Sequence, residues 1–232
     1  MDLDLLANSD MMGAPLFRDR RDAGCQLAAR LVKYGDDPNV IVLGLPRGGM
    51  PVAFEIATSL HAPLDVFVVR KLGVPGHREL AMGAIASGGV RILNQDVLET
   101  LDISPMIIDA VSRQEQIELE RQERTYRGDA PAPDYAVRTV IIVDDGLATG
   151  STMRAAVAAL RQLHPARIVV AVPVGAADTC RRLRKEADEV VCLRTPEPFR
   201  AVSLWYEEFQ QTTDHEVGHL LETAAHAAAR QR

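Results

Sequence analysis

The sequence contains few cysteines, no excess of basic residues and no long apolar run. Its three cysteines, Cys25, Cys180 and Cys192, include no C-x-x-C pair, so their spacing suggests neither a disulfide framework nor a cysteine zinc cluster. The 26 lysines and arginines are outnumbered by 32 aspartates and glutamates, which leaves the chain without the positive charge that nucleic-acid phosphates require. No apolar run approaches the roughly 18 residues that span a bilayer, and the acidic N-terminus is unlike an export signal. We therefore expect a soluble, cytoplasmic protein that binds neither nucleic acid nor membranes.

Short runs rich in valine and isoleucine alternate with segments of helical periodicity. The runs are too short for helices and too continuous for half-exposed strands, so they predict buried parallel strands at residues 40–45, 64–69, 137–143, 168–172 and 189–193. Helices are predicted between them at residues 18–34, 50–60, 152–163 and 178–187. This alternation indicates an α/β fold, in which a central, mainly parallel sheet carries helices on both faces and binds ligands at the carboxyl ends of its strands. We treat residues 1–232 as a single domain.

Two segments depart from the alternation. Residues 95–130 are predicted to form a helical insertion, whose long helix begins at Ser104-Pro105 and ends near Gly128. The second half of that helix is mostly charged, so we expect it either to project into solvent or to lie against a partner subunit of a homo-oligomer. Residues 194–232 form a C-terminal segment that closes with a predicted helix.

Residues 140–152, with the sequence VIIVDDGLATGST, combine a buried strand, two acids and a loop of small and hydroxylated residues before a helix. Unpaired backbone N–H groups, hydroxyls and the positive end of a helix dipole suit a phosphate dianion. The acids, Asp144 and Asp145, do not suit that anion, but carboxylates accept hydrogen bonds from a diol and bind hard cations such as Mg²⁺. The predicted ligand is therefore a phosphorylated sugar with a metal.

This pattern of four apolar residues, two acids, three variable residues and T-G-x-T resembles the phosphoribosyl pyrophosphate signature of the type I phosphoribosyltransferases. It differs from a Walker A loop and from the dinucleotide fingerprint. The resemblance implies that Asp144 and Asp145 bind the ribose hydroxyls, take part in catalysis and hold Mg²⁺ directly or indirectly. It also implies that the 5′-phosphate is bound by the loop residues Ala148, Thr149, Gly150, Ser151 and Thr152.

The segment GLPRGG after the first predicted strand resembles the pyrophosphate loop of the same family. There Arg47 would add charge, and Gly48 and Gly49 would let backbone amides approach the anion. Family members commonly hold a cis peptide bond in this loop, and the matching bond in this chain joins Pro46 and Arg47.

Arg70 and Lys71 end the next predicted strand and resemble the element that precedes the mobile catalytic loop of some family members. The resemblance implies that Lys71 is catalytic and that Arg70 binds substrate. Residues 77–89, rich in glycine and alanine, are then expected to form a loop that closes over the substrate.

The resemblance implies a Mg²⁺-dependent enzyme of nucleotide salvage, which uses phosphoribosyl pyrophosphate and a small nitrogenous base to give a nucleoside 5′-monophosphate and pyrophosphate. Members that act on 6-oxopurines typically carry aspartate where this chain has Ala148, so the acceptor base is left open. The helical insertion and the C-terminal segment resemble a less characterised bacterial branch of the family. The alternative function is that of a non-catalytic regulator that binds phosphoribosyl pyrophosphate.

The sequence His215-Glu216-Val217-Gly218-His219 matches the H-E-x-x-H pattern of zinc peptidases. We favour a different interpretation, because Thr213 and Glu216 have the spacing of a capping box that begins a helix over residues 214–230. In a capping box the glutamate side chain binds a backbone N–H, which leaves no general base for a peptidase.

Aromatic residues make up only 4% of the chain, and four of them lie in one C-terminal stretch. Family members carry a small hood over the strand ends that selects the base, often by stacking, so these residues are candidates for it. An equal alternative is that they anchor the C-terminal segment to the core. The four are Phe199, Trp205, Tyr206 and Phe209.

Overall fold

The computed structural model describes residues 14–128 and 130–230. In this part of the chain the helices are α1 (Arg20–Ala28), α2 (Gly49–Leu60), α3 (Gln95–Thr100), α4 (Pro105–Arg127), α5 (Ser151–Gln162), α6 (Ala177–Leu183) and α7 (Asp214–Arg230). The strands are β1 (Val40–Gly44), β2 (Leu64–Val66), β3 (Val69–Val74), β4 (His77–Ala86), β5 (Val90–Leu93), β6 (Thr139–Val143), β7 (Arg167–Val174) and β8 (Glu189–Arg194). Short 3-10 helices lie at Val32–Tyr34 and Val202–Trp205. None of the described helices has both the length and the apolar character that crossing a membrane requires.

The central sheet contains five strands in the order β2-β1-β6-β7-β8, and all neighbouring pairs are parallel. Leu27 of α1 and Ile56 of α2 pack on one face, while Met153 of α5 and Leu183 of α6 pack on the other. The strands read as continuous apolar runs because both of their faces are buried. The predicted α/β fold with a mainly parallel central sheet is therefore confirmed.

The predicted strand at residues 64–69 is wrong in its second half. β2 ends at Val66, and β3 begins in a separate antiparallel sheet of order β3-β4-β5. Between the two, the Phe67 N–H donates to the Gly44 carbonyl at 3.0 Å and the Val68 N–H donates to Ser87 Oγ at 2.9 Å. The chain can thus cross between the sheets because its backbone groups stay hydrogen-bonded on the way.

The expectation that residues 77–89 form a closing loop is also wrong, because most of this segment is β4, the central strand of the antiparallel sheet. Its small residues serve close packing rather than mobility. A Cβ on Gly83, for example, would collide with the Ile92 carbonyl on β5. The short turn at Pro75 and Gly76 joins β3 to β4, and Gly76 adopts the positive φ of 82° that the turn needs.

The second half of α4 does not project freely into solvent, because part of it packs within the chain, whereas its contact with a partner subunit stays a prediction. Leu119 and Tyr126 are buried in a cluster that includes Val217 of α7. The Arg127 side chain is 5% exposed, and its Nε lies 2.8 Å from Oδ1 of Asp65 on β2. The charged residues of this half therefore include one that fixes the helix to the central sheet.

Candidate functional site

The two loops predicted to bind ligand meet at the carboxyl edge of the central sheet. β1 and β6 are neighbouring parallel strands whose last residues are paired in register, so both loops leave the sheet at the same place. A Cβ on Gly48 would collide with the Asp145 carboxylate, and a Cβ on Gly49 would lie 2.6 Å from the Val143 carbonyl oxygen. The glycines are thus required for this close approach of the two loops.

Asp144 and Asp145 lie side by side at the end of β6. The Asp145 N–H donates to Oδ1 of Asp144 at 2.9 Å, and Nη2 of Arg20 lies 2.8 Å from Oδ2 of Asp145. Burial raises the pKa of Asp144 well above its usual value, and the adjacent charge of Asp145 raises it further. Burial also raises the pKa of Asp145, whereas the positive charge of Arg20 opposes that rise. Arg20 is one positive charge beside this pair. A second positive charge, placed at Asp144, would relieve the repulsion that remains between the two carboxylates.

Residues 148–152 form the loop that leads into α5. Gly150, the N-cap residue, adopts a left-handed backbone with φ 70° and has no side chain to cap the helix. The Ser151 N–H makes only a long contact of 3.5 Å with Oγ1 of Thr149, and the N–H groups in the first turn of such a helix are suited to an anion. Near them the hydroxyls of Thr149 and Ser151 lie 3.4 Å apart, and Thr152 is the second residue of the helix. The chain before Gly150 is held in place by Thr179 of α6, whose Oγ1 donates to the Ala148 carbonyl at 2.7 Å.

Arg47, in the glycine-rich loop after β1, borders a polar cavity of about 390 Å³. The Pro46–Arg47 bond is cis, as the resemblance implied. Nη1 of Arg47 lies 3.8 Å from Oδ1 of Asp214, the first residue of α7. The polar side chains that line the cavity are those of Arg47, Arg70, Arg121, Gln122, Tyr126 and Asp214.

Arg70 and Lys71 are directed differently although they are adjacent in sequence. Nε and Nη2 of Arg70 each lie 2.6 Å from Oε2 of Glu115 on α4, so this guanidinium already has a carboxylate partner. Successive side chains of a strand point to opposite faces, which places Lys71 on the other face of β3, where it is exposed. Of the two residues, Arg70 borders the cavity beside Arg47. The catalytic role of Lys71 stays a prediction.

Sequence reasoning missed Arg20 beside Asp145, because no motif marks it, and it singled out Tyr206 and Phe209 without placing them next to this acid. The guanidinium carbon of Arg20 lies 3.8 Å from the centre of the Phe209 ring, and its Nη1 donates to the Gln210 carbonyl at 2.6 Å. The Tyr206 hydroxyl donates to the Asp145 carbonyl at 2.6 Å. The N-terminal helix and the C-terminal segment therefore jointly fix the position of this acid.

The C-terminal aromatic residues mainly anchor their segment. Trp205 and Tyr206 are 8% and 4% exposed, and they form a buried cluster with Phe17 near the start of the described chain. These two side chains consequently offer little surface for stacking on a base. α7, the helix predicted to close the C-terminal segment, packs against α2, α4 and β2.

The predicted capping box at the start of α7 is confirmed. The Glu216 N–H donates to Oγ1 of Thr213 at 3.2 Å, and the Thr213 N–H donates to Oε2 of Glu216 at 2.6 Å. The Thr213 N–H and hydroxyl, which both donate to Oε2 of Glu216, lower the pKa of this carboxyl below its usual value. The glutamate of the H-E-x-x-H pattern is thus held by the helix end as a capping side chain.

Comparison with known proteins extends over most of the chain. The model of the phosphoribosyl transferase domain matches residues 20–207. "Putative phosphoribosyl transferase Rv0571c" of Mycobacterium tuberculosis H37Rv is 50% identical over 209 residues, which are 90% of this chain and 47% of that protein. The corresponding protein of strain CDC 1551 matches equally, so the chain spans about half the length of these curated relatives. The crystal structure of TT1426 from Thermus thermophilus superposes with a TM-score of 0.79 at 40% identity, covering 88% of this chain and 97% of that one.

The parallel sheet, with two acids and a glycine-rich loop at its carboxyl edge, has the architecture of a type I phosphoribosyltransferase. The family match extends from α1 to the residue after Tyr206 and includes each loop described above. The chain therefore belongs to the phosphoribosyl transferase domain family.

Proposed function

We propose that the chain binds phosphoribosyl pyrophosphate with Mg²⁺ and transfers the phosphoribosyl group to a small nitrogenous base, releasing pyrophosphate. One observation carries this proposal. The pairing of β1 with β6 brings the glycine-rich loop into contact with Asp144 and Asp145, at the same sheet edge as the open start of α5. An anion site, two acids and a second glycine-rich loop in one place match the phosphate, ribose and pyrophosphate parts of one substrate.

Each part of the site has a distinct chemical task. The N–H groups and hydroxyls of residues 149–152 bind the 5′-phosphate and position the sugar. Asp144 and Asp145 accept hydrogen bonds from the ribose hydroxyls, and their negative charge stabilises the positive sugar ring that develops as pyrophosphate leaves. Arg47 and the amides of Gly48 and Gly49 stabilise the charge of the leaving pyrophosphate, with Arg70 bordering it.

The acid pair also fits a magnesium ion. Two adjacent carboxylates whose pKa values are raised by burial are stabilised by a divalent cation, and hard oxygen donors are those that Mg²⁺ prefers. Within the described residues no group of three or more His, Cys, Asp or Glu could hold a metal alone, so oxygens of the substrate would complete the coordination. When bound, the ion neutralises pyrophosphate charge and favours its departure.

The test is to mix the protein with Mg²⁺, phosphoribosyl pyrophosphate and a panel of purine and pyrimidine bases, and to follow pyrophosphate release. Pyrophosphate release that depends on the presence of a base supports transfer of the phosphoribosyl group to that base. Tight binding of phosphoribosyl pyrophosphate without release, with every base, would support the regulatory alternative instead. The release should be lost in the double variant Asp144→Asn with Asp145→Asn. Asp109→Asn is its matched control, since the Asp109 carboxylate pairs with Arg91 on the surface and lies outside the site.

A further inference from the structure

Two cysteines that are separated in sequence lie close together in the fold. They are next to residues 148–152, which we call the phosphate loop. Cys180 of α6 is 1% exposed, and Cys192 of β8 is partly exposed; both belong to the cluster on one face of the central sheet. The Cys192 thiol donates to the Arg194 carbonyl at 3.2 Å, and the two thiols are close enough for each to shift the pKa of the other. A Cβ built on Gly175 would lie 2.9 Å from Sγ of Cys180 and 3.5 Å from Sγ of Cys192. The two sulfurs thus share one small space.

The surroundings of this pair favour ionisation of one thiol. The adjacent Cys192 thiol, which would donate to an ionised Cys180 sulfur, lowers the pKa of Cys180 to about 7; burial opposes this shift, and the nearby charge of Arg184 favours it. The same contact raises the pKa of Cys192, so the first proton leaves the pair at a lower pH than the second. Cys25 lies elsewhere, exposed on α1, with its Sγ 3.6 Å from Oε2 of Glu55.

We propose that Cys180 and Cys192 form a redox-active dithiol that closes to an intramolecular disulfide when hydrogen peroxide oxidises it. One thiolate attacks the peroxide, so that an S–O bond forms, the O–O bond breaks and water is released after proton transfer. The second sulfur then attacks the sulfenic acid; the S–S bond forms, the S–O bond breaks and a second water leaves. Two thiols lose two electrons in total, and one molecule of hydrogen peroxide gains them.

The disulfide would act on the phosphate loop through α6. Residues next to Cys180 support that loop: Thr179 holds the Ala148 carbonyl, and the Ala176 N–H donates to the Leu147 carbonyl at 2.8 Å. An S–S bond is about 2.05 Å long, much shorter than a non-bonded sulfur contact, so its formation moves α6 towards β8. We expect oxidation to weaken binding at the loop. This consequence rests on the proposed function, whereas the disulfide itself does not.

The chemistry is tested by mass spectrometry. The reduced protein is treated with a small excess of hydrogen peroxide, denatured and alkylated with N-ethylmaleimide. We expect the number of thiol adducts to fall from three in the reduced chain to one. Before alkylation, the oxidised chain should be about 2 Da lighter than the reduced chain, because two hydrogens are lost. Digestion should give a peptide in which a disulfide joins Cys180 to Cys192. Cys25→Ser is the matched control and must still form the disulfide, while Cys192→Ser and Cys180→Ala must not. Three adducts after oxidation, or a bridge to Cys25, would overturn the proposal.

The coupling to the loop is tested by calorimetry on the same samples. Oxidation should weaken the affinity for phosphoribosyl pyrophosphate with Mg²⁺ by about tenfold in the wild type and in Cys25→Ser, and dithiothreitol should restore it. Cys192→Ser should show no such change. Equal affinities of the oxidised and reduced forms would overturn the coupling. Failure of the reduced protein to bind at all would contradict the proposed function and leave the result on the disulfide intact.

Discussion

The Arg20 guanidinium lies 2.8 Å from Oδ2 of Asp145, and the two side chains are only 11% and 15% exposed. This ion pair neutralises one of two adjacent carboxylates and leaves the other, Asp144, without a positive partner among the described side chains that contact it. The two acids therefore differ in how far their negative charge is neutralised. Asp145 is fixed by side chains from both ends of the chain, and Asp144 is the acid with the greater electrostatic need for a cation.

Arg20→Ala is expected to make binding of phosphoribosyl pyrophosphate more sensitive to acid. Arg20 opposes the rise in the pKa of Asp145, so its removal raises that pKa further and leaves less carboxylate at a given pH. The affinity measured by calorimetry should therefore fall more at about pH 6 than at about pH 8. Arg20→Lys keeps the charge and should recover most of the wild-type pH dependence. Superimposable profiles for Arg20→Ala and the wild type would contradict this.

The double change Asp144→Asn with Asp145→Asn is expected to abolish Mg²⁺-dependent binding without unfolding the protein. Amides cannot supply the charge that ribose hydroxyls and a cation need at this position. Circular dichroism should show an unchanged fold. Wild-type affinity in the double variant would refute the assignment of these acids.

The single change Asp144→Asn should stabilise the protein near neutral pH by about 1 kcal/mol. A carboxyl whose pKa is raised on folding contributes stability at low pH and loses it as the pH rises from 3.8 through the folded pKa. Asparagine does not ionise and has no such loss. Urea unfolding between acid and neutral pH should show the free energy of unfolding falling less in the variant than in the wild type. A larger fall in the variant would mean that burial does not penalise this charge.

Glycine substitutions at two helical positions should have opposite effects. Gly49→Ala places a Cβ 2.6 Å from the Val143 carbonyl oxygen, so the loops must separate, and we expect a loss of about 1–3 kcal/mol in stability. Gly218→Ala in α7 is the control, because its nearest neighbour is the Thr125 carbonyl oxygen at 4.0 Å. There alanine should raise the free energy of unfolding by about 0.5–1 kcal/mol. Denaturant unfolding distinguishes the two.

Removing only one member of the buried ion pair between Arg127 and Asp65 should strongly lower the free energy of unfolding. Arg127→Ala leaves Asp65 buried without its cation and should destabilise the protein by about 3–5 kcal/mol. Replacing both residues with apolar side chains, as in Arg127→Met with Asp65→Leu, should cost clearly less than the sum of the single changes. An additive double-mutant cycle would show that the pair does not fix α4 to the sheet.

The histidines of the H-E-x-x-H pattern should be dispensable. His215→Ala should change stability little, and elemental analysis of the purified protein should find no stoichiometric zinc. Thr213→Ala, which removes the cap, should cost about 1 kcal/mol. The contribution of Glu216 should disappear in acid, since a carboxyl with a lowered pKa stabilises above its usual value of 4.5 and stops doing so as the pH falls through its folded pKa. Zinc that is lost in His215→Ala would reverse this interpretation.

The amino-acid sequence was enough to predict the central sheet, most of the helices that cover it and the loop at residues 148–152. These features depend on signals a few residues long: continuous apolar runs, helical periodicity and the acids and small residues that end a strand. It also placed the cap at Thr213 and Glu216, because a capping box is complete within four residues.

The contacts that those elements make with one another are visible only in the folded structure. Residues 77–89 are predicted to be a loop because of their glycine and alanine content. The reason for a small residue at Gly83 is its close contact with β5, which lies outside the segment. Arg20 and Asp145 are 125 residues apart, so no local pattern could join them. For the same reason, nothing in the sequence indicated that the sulfurs of Cys180 and Cys192 both lie next to Gly175. Parallel strands and their crossover helices bring distant residues to one sheet edge, and the contacts made there follow from the closing of the fold.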